Sequence, residues 1–236
     1  MEPALYLIPV TLGETPVDQV LPAYNSGIIK QIHHFIVENI RSARRFLKSV
    51  DKSIDIDTLT FYELNEHSDL TKTETLLDPL RKGFPMGVIS EAGCPAVADP
   101  GAAAVAQAHK EGLRVIPLSG PSSMIMSVMA SGLNGQSFAF NGYLPVKGQE
   151  RAQKIRQLET RAWKEGQTQL FIEAPYRNLQ MLSTLISTCK PDTMLCVAAG
   201  MTCKEEYIRT MPISKWKKIP EPPIQKVPAL FLIGRP

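Results

Sequence analysis

The chain has few cysteines, and none of the spacings that hold zinc. Its four are Cys94, Cys189, Cys196 and Cys203, with no Cys-x-x-Cys pair. A zinc site is therefore not expected, and reduced, buried thiols are the default. Charge of either sign is not in excess. The net charge of +3 over 236 residues is too small to announce a nucleic-acid binder by bulk electrostatics. Long hydrophobic runs are missing too. No apolar stretch approaches the roughly 18 residues of a membrane span. The opening MEPALYLIPV lacks the basic segment of a secretory signal. The expectation is a cytoplasmic protein. What is present is a globular composition, 44% hydrophobic and 21% charged, in a chain long enough for one large or two ordinary domains.

The most informative stretch is Val88 to Ser123, VISEAGCPAVADPGAAAVAQAHKEGLRVIPLSGPSS. An apolar run ends in the small-residue turn Ser90-Glu91-Ala92-Gly93-Cys94-Pro95. Ala102 to Lys110 has helix-forming composition and Gly112 closes it. Leu113 to Leu118 reads as a strand, and Gly120-Pro121-Ser122-Ser123 as a second small-residue turn before the apolar helix Met124 to Leu133. Strand, loop, helix, strand, loop, helix is the pattern of a parallel α/β sheet. Ligands in such sheets bind outside the carboxyl ends of the strands, where small residues expose backbone. The Gly93 and Gly120 loops are the candidate binding loops. As ordinary βα connections they would look much the same.

Elsewhere, Ala4 to Val10, Gln31 to Ile36 and Asp55 to Leu64 carry strand patterns, and Gln19 to Ile29 is weakly helical. Leu70 to Lys82 reads as a helix with Leu76, Leu77 and Leu80 inward. His33 and His34 are adjacent on a strand, point to opposite faces, and do not make a metal site. Asn39 to Ser49 is a basic helix. Arg41, Arg44, Arg45 and Lys48 lie at three- and four-residue spacings and make one positive face, either simply solvated or in contact with phosphate. Lys147 and Arg151, in a polar loop over Pro145 to Arg151, are placed to extend it.

In the second half, strands are predicted over Phe138–Leu144, Thr168–Ala174, Met194–Ala199, Glu205–Thr210 and Ala229–Gly234, with fewer helices between them. That suggests a mixed sheet. Domains are expected over 1–117 and 118–236. The apolar helix Met124 to Leu133 should be buried on all sides.

Several segments, in order, resemble one family, the tetrapyrrole methylase superfamily of S-adenosylmethionine-dependent enzymes. They are Ser90-Glu91-Ala92-Gly93-Cys94-Pro95 with Asp99-Pro100-Gly101, Pro117-Leu118-Ser119-Gly120-Pro121-Ser122, Ala130-Ser131-Gly132-Leu133, Gly142-Tyr143-Leu144-Pro145, Glu173-Ala174-Pro175-Tyr176-Arg177 and Glu205-Glu206-Tyr207-Ile208-Arg209. The nearest branch is the one that methylates a ribose 2′-hydroxyl of small-subunit ribosomal RNA. The N-terminal quarter departs from that branch at Pro9-Val10-Thr11-Leu12-Gly13-Glu14, Glu38-Asn39-Ile40-Arg41 and Tyr62-Glu63-Leu64-Asn65-Glu66.

The resemblance implies a two-domain fold, an N-terminal parallel α/β sheet and a C-terminal mixed α/β sheet, with S-adenosylmethionine folded in the cleft between them. No Gly-x-Gly-x-x-Gly fingerprint is needed, and none is present. At the matching positions for the cofactor stand Leu12, Cys94, Val97, Ser122, Ser123, Ile172, Met201 and Ala229, beside the two loop glycines Gly93 and Gly120. A base for the hydroxyl proton would help transfer, and Glu66, Glu38 and Glu91 are the candidates, equally readable as surface carboxylates or caps. Arg41, Arg44 and Arg45 are the expected substrate contacts. A small ribosomal subunit or its RNA is the expected partner, and a homodimer the expected assembly. Two other readings stay open: a methylase of a small, tetrapyrrole-like molecule, and a cofactor-binding module that has lost catalysis.

Overall fold

The computed structural model of the chain describes residues 1–65 and 73–236. It falls into two compact units, Met1–Ser122 and Ser123–Pro236.

The first unit holds β1 (Leu5–Ile8), α1 (Val17–Val20), α2 (Ala23–Ile29), β2 (His34–Val37), α3 (Ile40–Val50), β3 (Thr60–Glu63), α4 (Thr73–Leu76), α5 (Asp78–Arg81), β4 (Met86–Ile89), α6 (Ala102–Lys110) and β5 (Val115–Pro117). Its strands form a parallel sheet in the order β3-β2-β4-β1-β5. Successive residues of a strand face opposite sides, and β1 shows it. Tyr6 and Ile8 pack with Ile29 of α2 and Ala43 and Leu47 of α3 on one face. Leu5 packs with Leu80 of α5 and Ala104 and Ala108 of α6 on the other. The connections leaving the neighbouring strands β1 and β4 therefore cover opposite faces. That divergence opens a crevice at the carboxyl ends of a parallel sheet.

α3 begins where Asn39 accepts from the backbone N–H groups of Arg41 and Ser42, at 2.9 and 3.2 Å, a side-chain N-cap. It buries Ala43 and Leu47 and leaves Arg41, Arg44, Arg45 and Lys48 exposed. Two expected elements are shorter than their patterns suggest. The Gln19–Ile29 helix is split into α1 and α2 around Leu21 and Pro22. The Leu70–Lys82 helix is broken near Pro79, although Leu76, Leu77 and Leu80 are buried as expected. A proline removes the backbone N–H that would continue the ladder. The start of the expected Leu70–Lys82 helix lies outside the described residues.

The second unit contains α7 (Ser123–Ser131), β6 (Phe138–Tyr143), α8 (Gly148–Glu165), β7 (Thr168–Ile172), α9 (Asn178–Thr188), β8 (Met194–Ala199), β9 (Tyr207–Pro212), α10 (Ile213–Trp216) and β10 (Ala229–Gly234). The sheet runs β6-β7-β10-β8-β9. β6 and β7 are parallel and the other pairings antiparallel, the mixed sheet expected. Phe171, Phe231, Val197 and Leu195 lead its core, under Ile155 and Leu158 of α8 and Leu182 and Leu185 of α9.

Two expectations fail in this unit. α7 is not buried all round. It buries Ser127, Val128 and Ser131, while Ile125 is 48% and Met129 77% exposed. The serine hydroxyls donate to Met124 O and Val128 O, at 2.7 and 2.9 Å. Bonded back to their own helix, they no longer need water. The second failure is Arg151. It lies in the first turns of α8, which starts at Gly148, and is 2% exposed. It cannot extend a surface patch.

Candidate active site

The five parallel strands of the first unit put their carboxyl ends on one edge, and the loops after β1, β4 and β5 are joined there. Val10 N–H donates to Gly93 O at 2.9 Å, and Ser90 Oγ donates to the same carbonyl at 3.2 Å. The Cys94 thiol donates to Pro121 O at 3.4 Å. Burial pushes that thiol up, so it stays a neutral donor rather than a nucleophilic thiolate. Gly93 has φ +68°, the left-handed region, and a Cβ there would sit 3.0 Å from Leu12 Cδ2 and 3.2 Å from Pro121 O. Leu12, Gly93 and Cys94 are thus brought together from loops far apart in sequence.

Gly120 behaves differently. A Cβ there would fall 2.3 and 2.5 Å from Pro9 Cβ and Cγ. Its missing side chain lets Pro9 approach, so a packing need accounts for it. Ser122 is half-buried at the end of this unit, and Ser123 opens α7 in the other.

Beyond Gly93 the loop is strained. Ala96 and Ala98 have φ of 65° and 55°, which costs a residue with a Cβ roughly 1–2 kcal/mol. Asp99 holds the turn: its Oδ1 accepts from Ala96 N–H at 2.9 Å and Gly101 N–H at 2.7 Å. Val97, between the two alanines, is 50% exposed. Strain of this kind gathers where a loop is shaped for a ligand.

Two of the three candidate carboxylates meet on the same edge. Glu38 follows β2, and its Oε1 accepts from Glu91 N–H at 3.3 Å. Glu91 is exposed, and its Oε1 accepts from Ser42 Oγ at 2.5 Å. Glu38 also faces Asp99. Burial first, and the Asp99 carboxyl second, raise Glu38 to about 7. Glu66 lies outside the described residues. Arg41, Arg44 and Arg45 are exposed, and the Arg44 guanidinium lies 5.5 Å from the Phe61 ring centroid.

In the second unit, Ile172 ends β7, Ala229 starts β10 and Met201 follows β8. The register pairs Ile172 with Leu230 and Ala199 with Ala229, so these three candidates share one end of the mixed sheet. Met201 and Ala229 are buried.

Sequence reasoning misses two carboxylates that matter structurally. Asp99 stands out there only as part of Asp-Pro-Gly, yet an Asp just before a helix is a recognised backbone-binding position. Glu173, after β7, is fully buried. Its Oε1 accepts from Ala174 N–H and from Arg177 Nε and Nη2, at 2.7, 2.9 and 2.6 Å. The Glu…Arg spacing of four, on the way into a helix, is the available signal.

No protein-family model matches the chain. It is 30% identical over 213 residues to the ribosomal RNA small subunit methyltransferase I of Vibrio cholerae, across 90% of this chain and 70% of that one. Against the protein of the same name from Borrelia garinii subsp. bavariensis it is 31% identical over 215 residues, covering 88% and 93%. It spans about half the length of other relatives of that name. Among solved structures it superposes on the methyltransferase CobJ with a TM-score of 0.63 at 15% identity, covering 98% and 94%. A cobalt precorrin-4 methyltransferase of cobalamin biosynthesis gives 0.60 at 15%, covering 98% and 95%. Those two likenesses fix the fold as that of the tetrapyrrole methylases. Identity of 30% sustained over nine-tenths of the chain goes further, and places it in the ribosomal RNA small subunit methyltransferase I family.

Proposed function

We propose that this protein transfers the methyl group of S-adenosylmethionine to a ribose 2′-hydroxyl of small-subunit ribosomal RNA. The observation that carries the reading is the joined edge of the parallel sheet in a chain with these relatives. The edge suits the cofactor. The Gly93 turn is a cradle that a side chain would fill, and Leu12 and Val97 offer apolar surface beside it. Backbone and hydroxyl groups at Cys94, Ser122 and Ser123 suit the amino-acid and adenosine ends. From the second unit, Ile172, Met201 and Ala229 are the proposed contacts. When bound, the cofactor supplies an electrophilic methyl group on a sulfonium.

The work of the chain is then positioning. Lining up oxygen, methyl and sulfur is worth on the order of 7–11 kcal/mol in favourable cases. Glu91 is exposed, with one carboxylate oxygen fixed by Ser42, and is a suitable acceptor for the hydroxyl proton. Glu66 is the other proposed acceptor.

The exposed face of α3 is the proposed RNA contact. Arg41, Arg44, Arg45 and Lys48 form no ion pair with any described carboxylate. Phosphate contacts release counterions, so affinity for RNA should fall steeply with salt. Replacing Arg44 and Arg45 together by Ala should weaken binding of small subunits about tenfold and reduce the salt slope by about one to two. S-adenosylhomocysteine affinity should change little. Filter binding across a salt series, with calorimetry in parallel, makes the test. An unchanged slope rejects this face and favours the small-molecule reading. A homodimer belongs to the same proposal, motivated by the resemblance and by the apolar surface at Ile125 and Met129. Light scattering at the 26.1 kDa monomer mass would remove it.

A further inference from the structure

The unused feature of this edge is the meeting of Glu38 and Asp99. Asp99 Oδ1 is fully occupied by the backbone N–H groups of Ala96 and Gly101. Its other oxygen, Oδ2, is buried and has no donor, although the Glu38 carboxyl lies within hydrogen-bond reach of Asp99. A buried carboxylate oxygen with no donor is costly, and two ionised carboxylates in contact repel. A single proton between them removes both penalties.

We propose that Glu38 carries that proton and donates it to Asp99 Oδ2, tying the end of β2 to the strained loop after β4. Glu38 is then a positioning residue, and the base of the reaction lies elsewhere. The bond forms between Glu38 Oε2–H and Asp99 Oδ2. Oε1 remains free to accept from Glu91 N–H, as it does. The ionisable groups facing Glu38 are Asp99 and Glu91, both from the loop after β4 and both acidic. On its own side, the Arg41 guanidinium is exposed. Among the described residues, the Glu91 N–H on Oε1 favours a charged Glu38, and burial and the two acidic neighbours oppose it. Burial is the largest effect and the Asp99 carboxyl the next, and the balance raises Glu38 to about 7.

The consequence is a pH dependence of definite sign. A carboxyl raised in the folded state is protonated when folded and ionised when unfolded, between about 4.5 and 7. Unfolding in that window releases a proton, so stability is present below it and lost as pH rises through it. Above about 7 the contribution is flat.

The test compares urea unfolding of the whole protein with that of Glu38→Gln from pH 5 to pH 8. The amide of the variant places an N–H where the proton sits, and does not titrate. The ratio of wild-type to variant unfolding constants should rise severalfold per pH unit up to about pH 7, within the tenfold limit for one proton. Parallel curves overturn the proposal. Should the variant fail to fold, the carboxyl carbon of Glu38 in ¹³C-labelled wild-type protein decides. A midpoint near 7 supports the shared proton, and one in the ordinary glutamate range overturns it.

A third arm rests on the methyltransferase reading. If Glu38 only positions the loop, Glu38→Gln should lose less than tenfold in methyl transfer to small subunits. A loss beyond a hundredfold with S-adenosylhomocysteine binding intact would make Glu38 the base, and would overturn the proposal. The first two arms need no substrate, so a failure of the functional reading leaves them standing.

Discussion

Gly93→Trp should abolish binding of S-adenosylmethionine and its demethylated product, lowering affinity by at least a hundredfold. Three facts set that size. Gly93 sits at φ +68°, where any side chain costs roughly 1–2 kcal/mol in backbone strain. Its Cβ would already touch Leu12 Cδ2 and Pro121 O, at 3.0 and 3.2 Å. An indole beyond that Cβ occupies the space where the loops after β1, β4 and β5 meet. A hundredfold is about 2.7 kcal/mol, easily lost when a ligand is sterically displaced. Gly93→Ala separates the effects. It shares the strain and the near contacts but fills little space, so its affinity should fall much less. The measurement is calorimetry with S-adenosylhomocysteine, together with the ligand-induced rise in Tm that binding to the native state requires. Wild-type affinity in the Trp variant would show that the cofactor is held elsewhere.

Much of the fold is readable where local chemistry punctuates the chain. Gly112 and the small-residue turns bracket α6, and Ala102 and Lys110 are its ends in both sequence and structure. Strands β1, β4, β7, β8 and β10 stand out because apolar runs bounded by Gly, Pro or polar residues leave few alternatives. The mixed character of the second sheet follows from counting strands against helices.

Reading fails where the pattern has no direction. α7 offers apolar residues on every side, so composition cannot reveal that the serine-bearing face is the buried one. Burial of Arg151 is hidden by a polar, glycine-containing run that looks like a loop and is the start of α8. The site shows the same division. Gly93 and Cys94 are visible as a small-residue turn after a strand. That Gly120 serves Pro9, and that Asp99 meets Glu38, are contacts between loops distant in sequence, and no local spacing encodes them. Glu38 is marked in the sequence by its acidity and by its place in the motif position Glu38-Asn39-Ile40-Arg41. Its protonation depends on a neighbour that only the fold supplies.

The central claim, that this chain methylates ribose in small-subunit RNA, is tested most directly by mass spectrometry of ribosomal RNA. Small subunits from cells lacking the protein would be incubated with purified protein and S-adenosylmethionine carrying a deuterated methyl group. Nuclease digestion then shows whether one nucleoside gains that label on its ribose. The account predicts a single labelled 2′-O-methyl nucleoside, present with wild-type protein and absent with Gly93→Trp. Unlabelled RNA, from a protein that binds S-adenosylhomocysteine normally, would contradict it.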